Sequence, residues 1–565
     1  MSFLSSFPVF PVYGSVITTY LAGVALALFG LWFYFWPYGE WTLPFRNVQG
    51  PESSSFLWGV LAQVIKEEPM KPHARWLEAY GPTIRYRVFF GKHRLLSIDP
   101  TAISYMLSHP DLFPKPERTR HEMAKILGEG VLIAEGDDHR RQRKLLNPSF
   151  SASAIRGMVP IFYDKAYELR DKLQAIIDGD SNVLPSPTPA REGDEEVKGG
   201  KKIDVMQFLG QATLDVIGVA GFDYDFKALS EPKNELAEAY RQMFTSGQSI
   251  TPMAIFQAFV PGMDKIPTER VRTVSRSKAI TERIGRKLLR DKKDAVRKAH
   301  ADGLEKGDDI GKDLLSILVR ANMASDLKPD QRLTDDEVLA QITTFMLAGN
   351  ETSSTALTWI LYLLSQNPQV QKKIREECAS VADERPSIES LQALPYMDAV
   401  VRESLRVCPP APGTIRQTTA DCIVPLSIPI KGRDGSTITS VHLPKGMQVF
   451  LPIMLVNTST VIWGPDAAEF KPERHLAPLE GVRDVPGTWG NLLTFLGGAR
   501  NCIGYRFALA EIKAILFVLI RNFEFEELNS KPVVERKASI VMRPRIVGEE
   551  AAGLQMPLMV KVLST

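Results

Sequence analysis

Phe495-Leu-Gly-Gly498-Ala-Arg500-Asn-Cys502-Ile-Gly504 is the stretch whose residue types and spacing most directly imply chemistry. A helical run follows from Tyr505, so Cys502 stands just before a helix N-terminus. Free amide groups and the helix dipole there favour an anion and lower a thiol pKa. A thiolate so placed is suited to bind haem iron axially and push electron density onto it, which helps cleave an O–O bond. Gly498 and Gly504 permit tight turns and let the backbone approach a flat macrocycle. Phe495 shields the sulfur from water, and Arg500 offers a guanidinium to a haem propionate. A lone cysteine after a Gly-rich turn would read as a buried structural residue; the full spacing favours the ligand.

A second group lies in Ala348-Gly349-Asn350-Glu351-Thr352. The capping box Thr334-Asp-Asp-Glu337 predicts a helix start, and Asn367-Pro368 a stop after about Gln366. The group therefore sits mid-helix, where Gly349 costs helix stability and, with the Thr352 hydroxyl bonding the preceding turn, is expected to open the backbone ladder. A hydroxyl beside a carboxylate is apt for moving protons.

The cysteine stretch resembles the haem-binding loop of the cytochrome P450s, the haem-thiolate monooxygenases, and four further segments match that family in order. Ala348-Gly349-Asn-Glu351-Thr352 is similar to its A-G-x-D/E-T, where a long helix crosses the haem; the resemblance implies that Thr352 holds dioxygen and an ordered water while Glu351 feeds protons. Glu403-Ser-Leu-Arg406 and Pro472-Glu-Arg474 resemble the lock behind the cysteine loop, with His475 in place of a common aromatic. His139 and Arg143, four apart on one helix face, resemble a W-x-x-x-R pair that reaches a propionate, with His for Trp. Arg416 is implied as a second propionate partner. The resemblance implies haem b, electrons from NADPH only through a separate flavoprotein reductase (or cytochrome b5), and oxygen insertion into a lipophilic substrate. A haem-thiolate isomerase or dehydratase acting on a peroxide, and a non-catalytic haem-binding protein, are the alternatives; Glu351 and Thr352 favour the monooxygenase. Sterols or triterpenoids, fatty acids and aromatics all remain open as substrates.

The 565 residues, 44% of them hydrophobic, suffice for a large core. A net charge of +2 without a basic tail argues against nucleic acid. The four cysteines contain no C-x-x-C, which excludes the usual zinc and dithiol patterns. Residues 1–39 carry no charged side chain and no histidine. Residues 15–36 form an apolar run of about 33 Å as a helix, enough to cross a bilayer. Basic residues follow it, which predicts a single-pass anchor in the endoplasmic reticulum with the bulk of the chain cytoplasmic. The expected organisation is an anchor (1–38), a stiff Pro-rich hinge (39–51) and a catalytic domain (52–565), mainly α with smaller β-sheets, the P450 fold. Residues 83–98 predict a strand pair, 111–134 a long loop, 183–202 an exposed insertion, and 423–455 a set of hairpins. Met243, Phe244, Met253, Ile255, Phe256 and Phe259 are candidates for an apolar channel. The tail predicts further strands, with a turn at 548–554 near substrate.

Overall fold

A computed structural model describes residues 12–55, 57–180, 194, 199–231, 234–248, 266, 268–301, 313–324, 327–477, 482–538 and 540–563. Six helices organise the site, α2 (Gly136–Leu146), α3 (Ala152–Ile177), α4 (Val205–Phe222), α5 (Asp335–Gln366), α6 (Pro395–Val407) and α7 (Tyr505–Asn522), and α1 (Val12–Phe33) precedes them. The 32-residue α5 starts at the expected cap: the Thr334 hydroxyl accepts from Glu337 N at 3.2 Å, and the Glu337 carboxylate accepts from Thr334 N at 2.8 Å. It is buried along most of its length and packs on α4, α6 and α7. The apolar α7 is buried against α3, with Phe162 and Phe507 edge-to-face at 5.0 Å.

Among the described residues, eleven strands form small sheets around this helical body. Strands β1 (Thr83–Arg87), β2 (His93–Ser97), β4 (Thr414–Gln417) and β7 (Gln448–Leu451) make one mixed sheet in the order β1-β2-β7-β4. Strands β3 (Gly200–Asp204), β8 (Phe523–Glu526) and β11 (Pro557–Val562) make a second, ordered β3-β11-β8. Strands β5 (Cys422–Lys431) and β6 (Thr437–Leu443) form a hairpin, as do β9 (Val534–Ala538) and β10 (Met542–Ile546). The architecture is the expected α+β one.

Four local expectations change. Residues 111–134 are not one loop, because Glu117–Leu127 is helical. An acidic first turn favours that helix, and Gly128, at φ 74°, ends it. The segment 183–202 gives way to β3 at Gly200; most of the remainder lies outside the described residues, as do Met253, Ile255, Phe256 and Phe259. Among the hairpins expected in 423–455, β7 instead runs parallel to β2 and antiparallel to β4. At the N-terminus α1 begins at Val12 and passes at Tyr34 into a π-helical turn containing Pro37.

Residues 18–34 of this apolar helix are all exposed. By contrast α4 is also long and apolar enough to cross a membrane, but it is 72% buried and belongs to the core.

Candidate active site around Cys502

The cysteine loop is shaped by its backbone. Gly498 adopts φ 68°, and a Cβ there would lie 2.4 Å from the Leu107 carbonyl oxygen, so both conformation and space require glycine. Gly504 needs neither: its φ is −91°, and a Cβ there would meet only the Phe150 ring, at 3.4 Å. Cys502 N donates to the Phe495 carbonyl at 2.9 Å, closing the loop, and α7 starts three residues later. Cys502 has accessible surface, yet its thiol sits as deep as an interior group. Its sulfur therefore faces an internal recess. Burial pushes the thiol pKa up; the Gly504 N–H and the Arg143 charge pull it down.

Arg143, on α2, donates to the Asn501 carbonyl and to Asn501 Oδ1, both at 2.6 Å. Its charge thus braces the residue before Cys502. His139, one turn earlier, is buried, and its imidazole is pushed down to about 4 by burial and then by Lys115 and Arg143. It is a neutral ring at neutral pH.

Cations converge beside it. Arg500 donates to the Ala134 carbonyl at 2.7 Å and pairs with Glu135. Lys115 Nζ lies 3.4 Å from the same carboxylate. Burial, followed by the charges of Arg416, Arg500 and Arg120, lowers Lys115 well below its usual range. Arg416, on β4, donates to Thr414 Oγ1 at 2.7 Å and to the Ile415 carbonyl at 3.0 Å; burial lowers it to about 10. Arg120 Nε is buried without a hydrogen-bond partner. Four cations thus share one directly bonded carboxylate, an arrangement that calls for further anionic charge. The two propionates of haem fit that requirement, and a cysteine facing an internal recess fits its iron. Lys115, Arg120 and Glu135 carry no local sequence signature and escape a reading of the sequence alone.

On α5, Ala348 is accessible and Thr352 partly so, although the helix is otherwise largely buried. The Thr352 hydroxyl donates to the Ala348 carbonyl at 2.6 Å, so its oxygen lone pairs remain as acceptors toward any third group. Gly349 does not open the helix. A Cβ there would meet Ile217 of α4 at 2.8 Å, so it is glycine because two helices touch. Glu351 is bonded by Arg543 of β10, a partner 192 residues away that nothing local in the sequence marks.

Behind the loop lies a buried lock. Arg406 donates to Glu403 through Nε and Nη2, both at 2.8 Å, and both side chains are 0% exposed. Arg474 Nε reaches Glu403 at 2.9 Å, and His475 Nε2 lies 2.8 Å from its other oxygen, so the histidine joins the network where an aromatic was usual. Arg406 Nη1 also donates to the Asn457 carbonyl at 2.8 Å. The Asn457 side chain then accepts from Leu493 N and donates to Thr494 Oγ1, both at 2.9 Å. The lock thereby grips the base of the cysteine loop. Asn457 and Thr494 belong to no motif recognised in the sequence.

The family model for cytochrome P450 matches residues 49–547. The chain belongs to the cytochrome P450 family. This P450 is 40% identical over 527 residues to cytochrome P450 monooxygenase 205 of Postia placenta, covering 93% of this chain and 94% of that protein. It is 35% identical to cytochrome P450 monooxygenase claP of Ampulloclitocybe clavipes, over 92% and 93% of the two chains. It is 34% identical to a ganoderic acid synthetase of Ganoderma lucidum, over 91% and 93%. The P450 is a haem-thiolate monooxygenase whose cofactor is haem b, with electrons delivered indirectly through a reductase. P450s of this kind are typically membrane-associated, and they generally act on lipophilic substrates.

Proposed function

We propose that Cys502 is the axial ligand of the haem iron, that Arg416, Arg500, Lys115 and Arg120 receive the propionates, and that Glu351 and Thr352 manage protons on the oxygen side. The observation that carries this reading is the buried cation cluster beside a cysteine that faces an internal recess. When bound, haem supplies the redox chemistry that splits dioxygen and transfers one oxygen atom to substrate. The chain's own residues do the rest. Arg143 fixes Asn501 and favours the thiolate. His139 and Phe495 limit water near the loop. With its proton committed to Ala348, Thr352 accepts a hydrogen bond at the oxygen site, and Glu351 exchanges protons with the interior.

The reading extends to location and partners. The exposed apolar surface of residues 18–34 supports a single-pass anchor in the endoplasmic reticulum, with the catalytic domain cytoplasmic. A flavoprotein reductase using NADPH, or cytochrome b5, then supplies electrons at that surface. The substrate is a lipophilic molecule entering from the bilayer. The ganoderic acid synthetase relative directs the first screen to precursors of that acid, followed by fatty acids and aromatics.

The test of the ligand is the reduced, CO-bound spectrum of full-length protein and of Cys502→Ala. The red-shifted Soret band of a thiolate ligand should be present in the first and absent in the second. Product formation should require oxygen, NADPH and added reductase, and rearrangement of a peroxide substrate with no oxygen or NADPH consumed would favour the isomerase class. Alkaline extraction tests the anchor, since complete release of the intact protein from the membrane pellet would contradict it.

A further inference from the structure

Residues 128–135 join helix Glu117–Leu127 to α2. They cross α5 at contact distance: a Cβ on Gly130 would lie 2.7 Å from Thr344 Oγ1, and one on Gly128 would lie 2.8 Å from Ala340 Cβ. Two buried glutamines fasten them there. Gln341 of α5, 0% exposed, accepts from Val131 N through Oε1 at 3.0 Å and donates through Nε2 to Gln142 Oε1 at 2.9 Å. Gln142 of α2, 1% exposed, donates in turn to the Glu129 carbonyl at 3.0 Å. The two ends of this chain fix the orientation of both amides, since a backbone N–H only donates and a carbonyl only accepts. Gln142 Nε2 also lies 3.3 Å from Glu337 Oε1, and that carboxylate is held by Arg141 and by Thr334 N.

The segment carries this constraint on to the cysteine loop. The Gly130 carbonyl accepts from Ile133 N at 2.8 Å and from Ala134 N at 2.9 Å, which folds residues 130–134 into a tight turn. The Ala134 carbonyl accepts from Arg500, and the next residue, Glu135, pairs with Arg500 and lies 3.4 Å from Lys115. At its other end the path starts near the oxygen side. Gln341 stands eleven residues before Thr352, and at about 100° per residue the two share one face of α5 to within about 20°. A hydrogen-bonded path thus runs from the oxygen-side helix, through two glutamines and one turn, to the arginine beside Cys502. Displacing the segment would leave Val131 N, the Glu129 carbonyl and both side-chain amides without these partners in the interior, so one position is strongly favoured.

We propose that Gln142 and Gln341 are positioning residues that clamp residues 128–135 to the oxygen-side helix and thereby set where Ala134 and Glu135 meet Arg500. The clamp fixes how much of the Arg500 guanidinium stays open to a propionate. This reading rests on the propionate role proposed for Arg500.

Hydrogen exchange of the full-length, haem-loaded protein, resolved to single residues by mass spectrometry, tests the clamp. In wild type the Val131 amide should exchange slowly although its acceptor is a side chain; rapid exchange there overturns the clamp without any variant. Gln341→Met keeps the volume and removes both bonds, so exchange across 128–135 should accelerate roughly tenfold. An unchanged rate overturns the proposal. If that variant does not accumulate, Gln142→Met breaks the same chain at the Glu129 carbonyl and is read in the same way. The second measurement is haem transfer to excess apomyoglobin, which Gln341→Met should speed up roughly tenfold while the thiolate CO spectrum is retained. A clamp that acts through Arg500 should add less than about twofold in an Arg500→Gln background. A pair that only stabilises the fold would add its full effect there, and that result overturns the positioning role. Failure of the propionate role itself would appear as unchanged haem transfer in Arg500→Gln alone, with the exchange effect of Gln341→Met still in place.

Discussion

Arg543 of β10 pairs with Glu351 of α5, so the carboxylate expected to feed protons is held by a buried guanidinium. Eight residues further along the same face, Trp359 Nε1 donates to the Met542 carbonyl at 2.8 Å. Neighbouring residues of one strand thus staple two turns of the oxygen-side helix. Burial lowers Arg543 only to about 10, which leaves it charged at neutral pH. An adjacent cation favours the ionised carboxylate, so Arg543→Gln should move the acid limb of the coupling–pH profile upward. Haem content should not change. A profile that stays in place would leave the pair a structural staple and nothing more.

Thr352→Ala should uncouple the enzyme. The hydroxyl donates to Ala348, so what alanine removes toward the oxygen site is an acceptor. Losing one hydrogen bond of about 1–3 kcal/mol would change product per NADPH by roughly tenfold to a hundredfold, with hydrogen peroxide rising in step. Thr352→Ser should restore most of the coupling. A threonine that merely packs predicts an unchanged ratio and slightly better helix stability.

The parts of the site that are legible in sequence are local ones. The cysteine loop, the Thr334–Glu337 cap and the Glu403–Arg406 pair each lie within a few residues, where turn and helix geometry fix the relation. Arg543 with Glu351 and Asn457 with Leu493 are pairs that only tertiary packing creates. Gly349 shows the same limit from the other side: sequence suggests an opened helix, and the reason is Ile217 of a helix more than a hundred residues earlier. Helix Glu117–Leu127 reads as loop in sequence because its charge hides an ordinary capped helix.

The Glu403 lock should be acid-sensitive. Burial alone would raise the carboxyl, but hydrogen bonds from Arg406 and His475 outweigh it and hold it at about 2, against 4.5 unfolded. A depressed carboxylate contributes stability that is complete above its unfolded pKa and is lost as pH falls toward the folded one. Unfolding midpoints of the haem-loaded protein should therefore drop between about pH 4.5 and 2. Glu403→Gln should lose about 3–5 kcal/mol at neutral pH, because Arg406 and Arg474 stay buried without their counter-charge. It should also flatten the acid dependence. Urea titration followed by haem absorbance measures both, and an unchanged acid slope in the variant would move the sensitivity to other carboxylates.

Glu40, the first charged residue of the chain, ties the turn after α1 to the β1–β2 hairpin. It pairs with Arg85, lies 2.6 Å from Arg87 and 3.2 Å from His93, all on the β1–β2 hairpin. Burial opposes its charge, and His93, Arg85 and Arg87 together hold the carboxyl far below its usual range. A few residues on, Asn47 donates to Asp434 at 2.7 Å and Ser436 at 2.9 Å, while Arg85 Nε donates to the Val48 carbonyl at 2.9 Å. Residues 40–48 are thus bonded to two hairpins. Glu40→Gln leaves the 4%-exposed Arg85 without its counter-charge and should free the linker locally. Limited proteolysis within residues 40–47 should accelerate roughly tenfold, equivalent to about 1.4 kcal/mol of local opening. Haem content and membrane attachment should be unchanged, and the tilt of the haem plane in oriented bilayers, read by linear dichroism, should broaden. Removal of residues 1–38 spares Glu40 and should leave the linker as resistant as in wild type. Equal cleavage rates and an equal tilt distribution for Glu40→Gln would show that the remaining linker bonds suffice and that Glu40 sets no orientation.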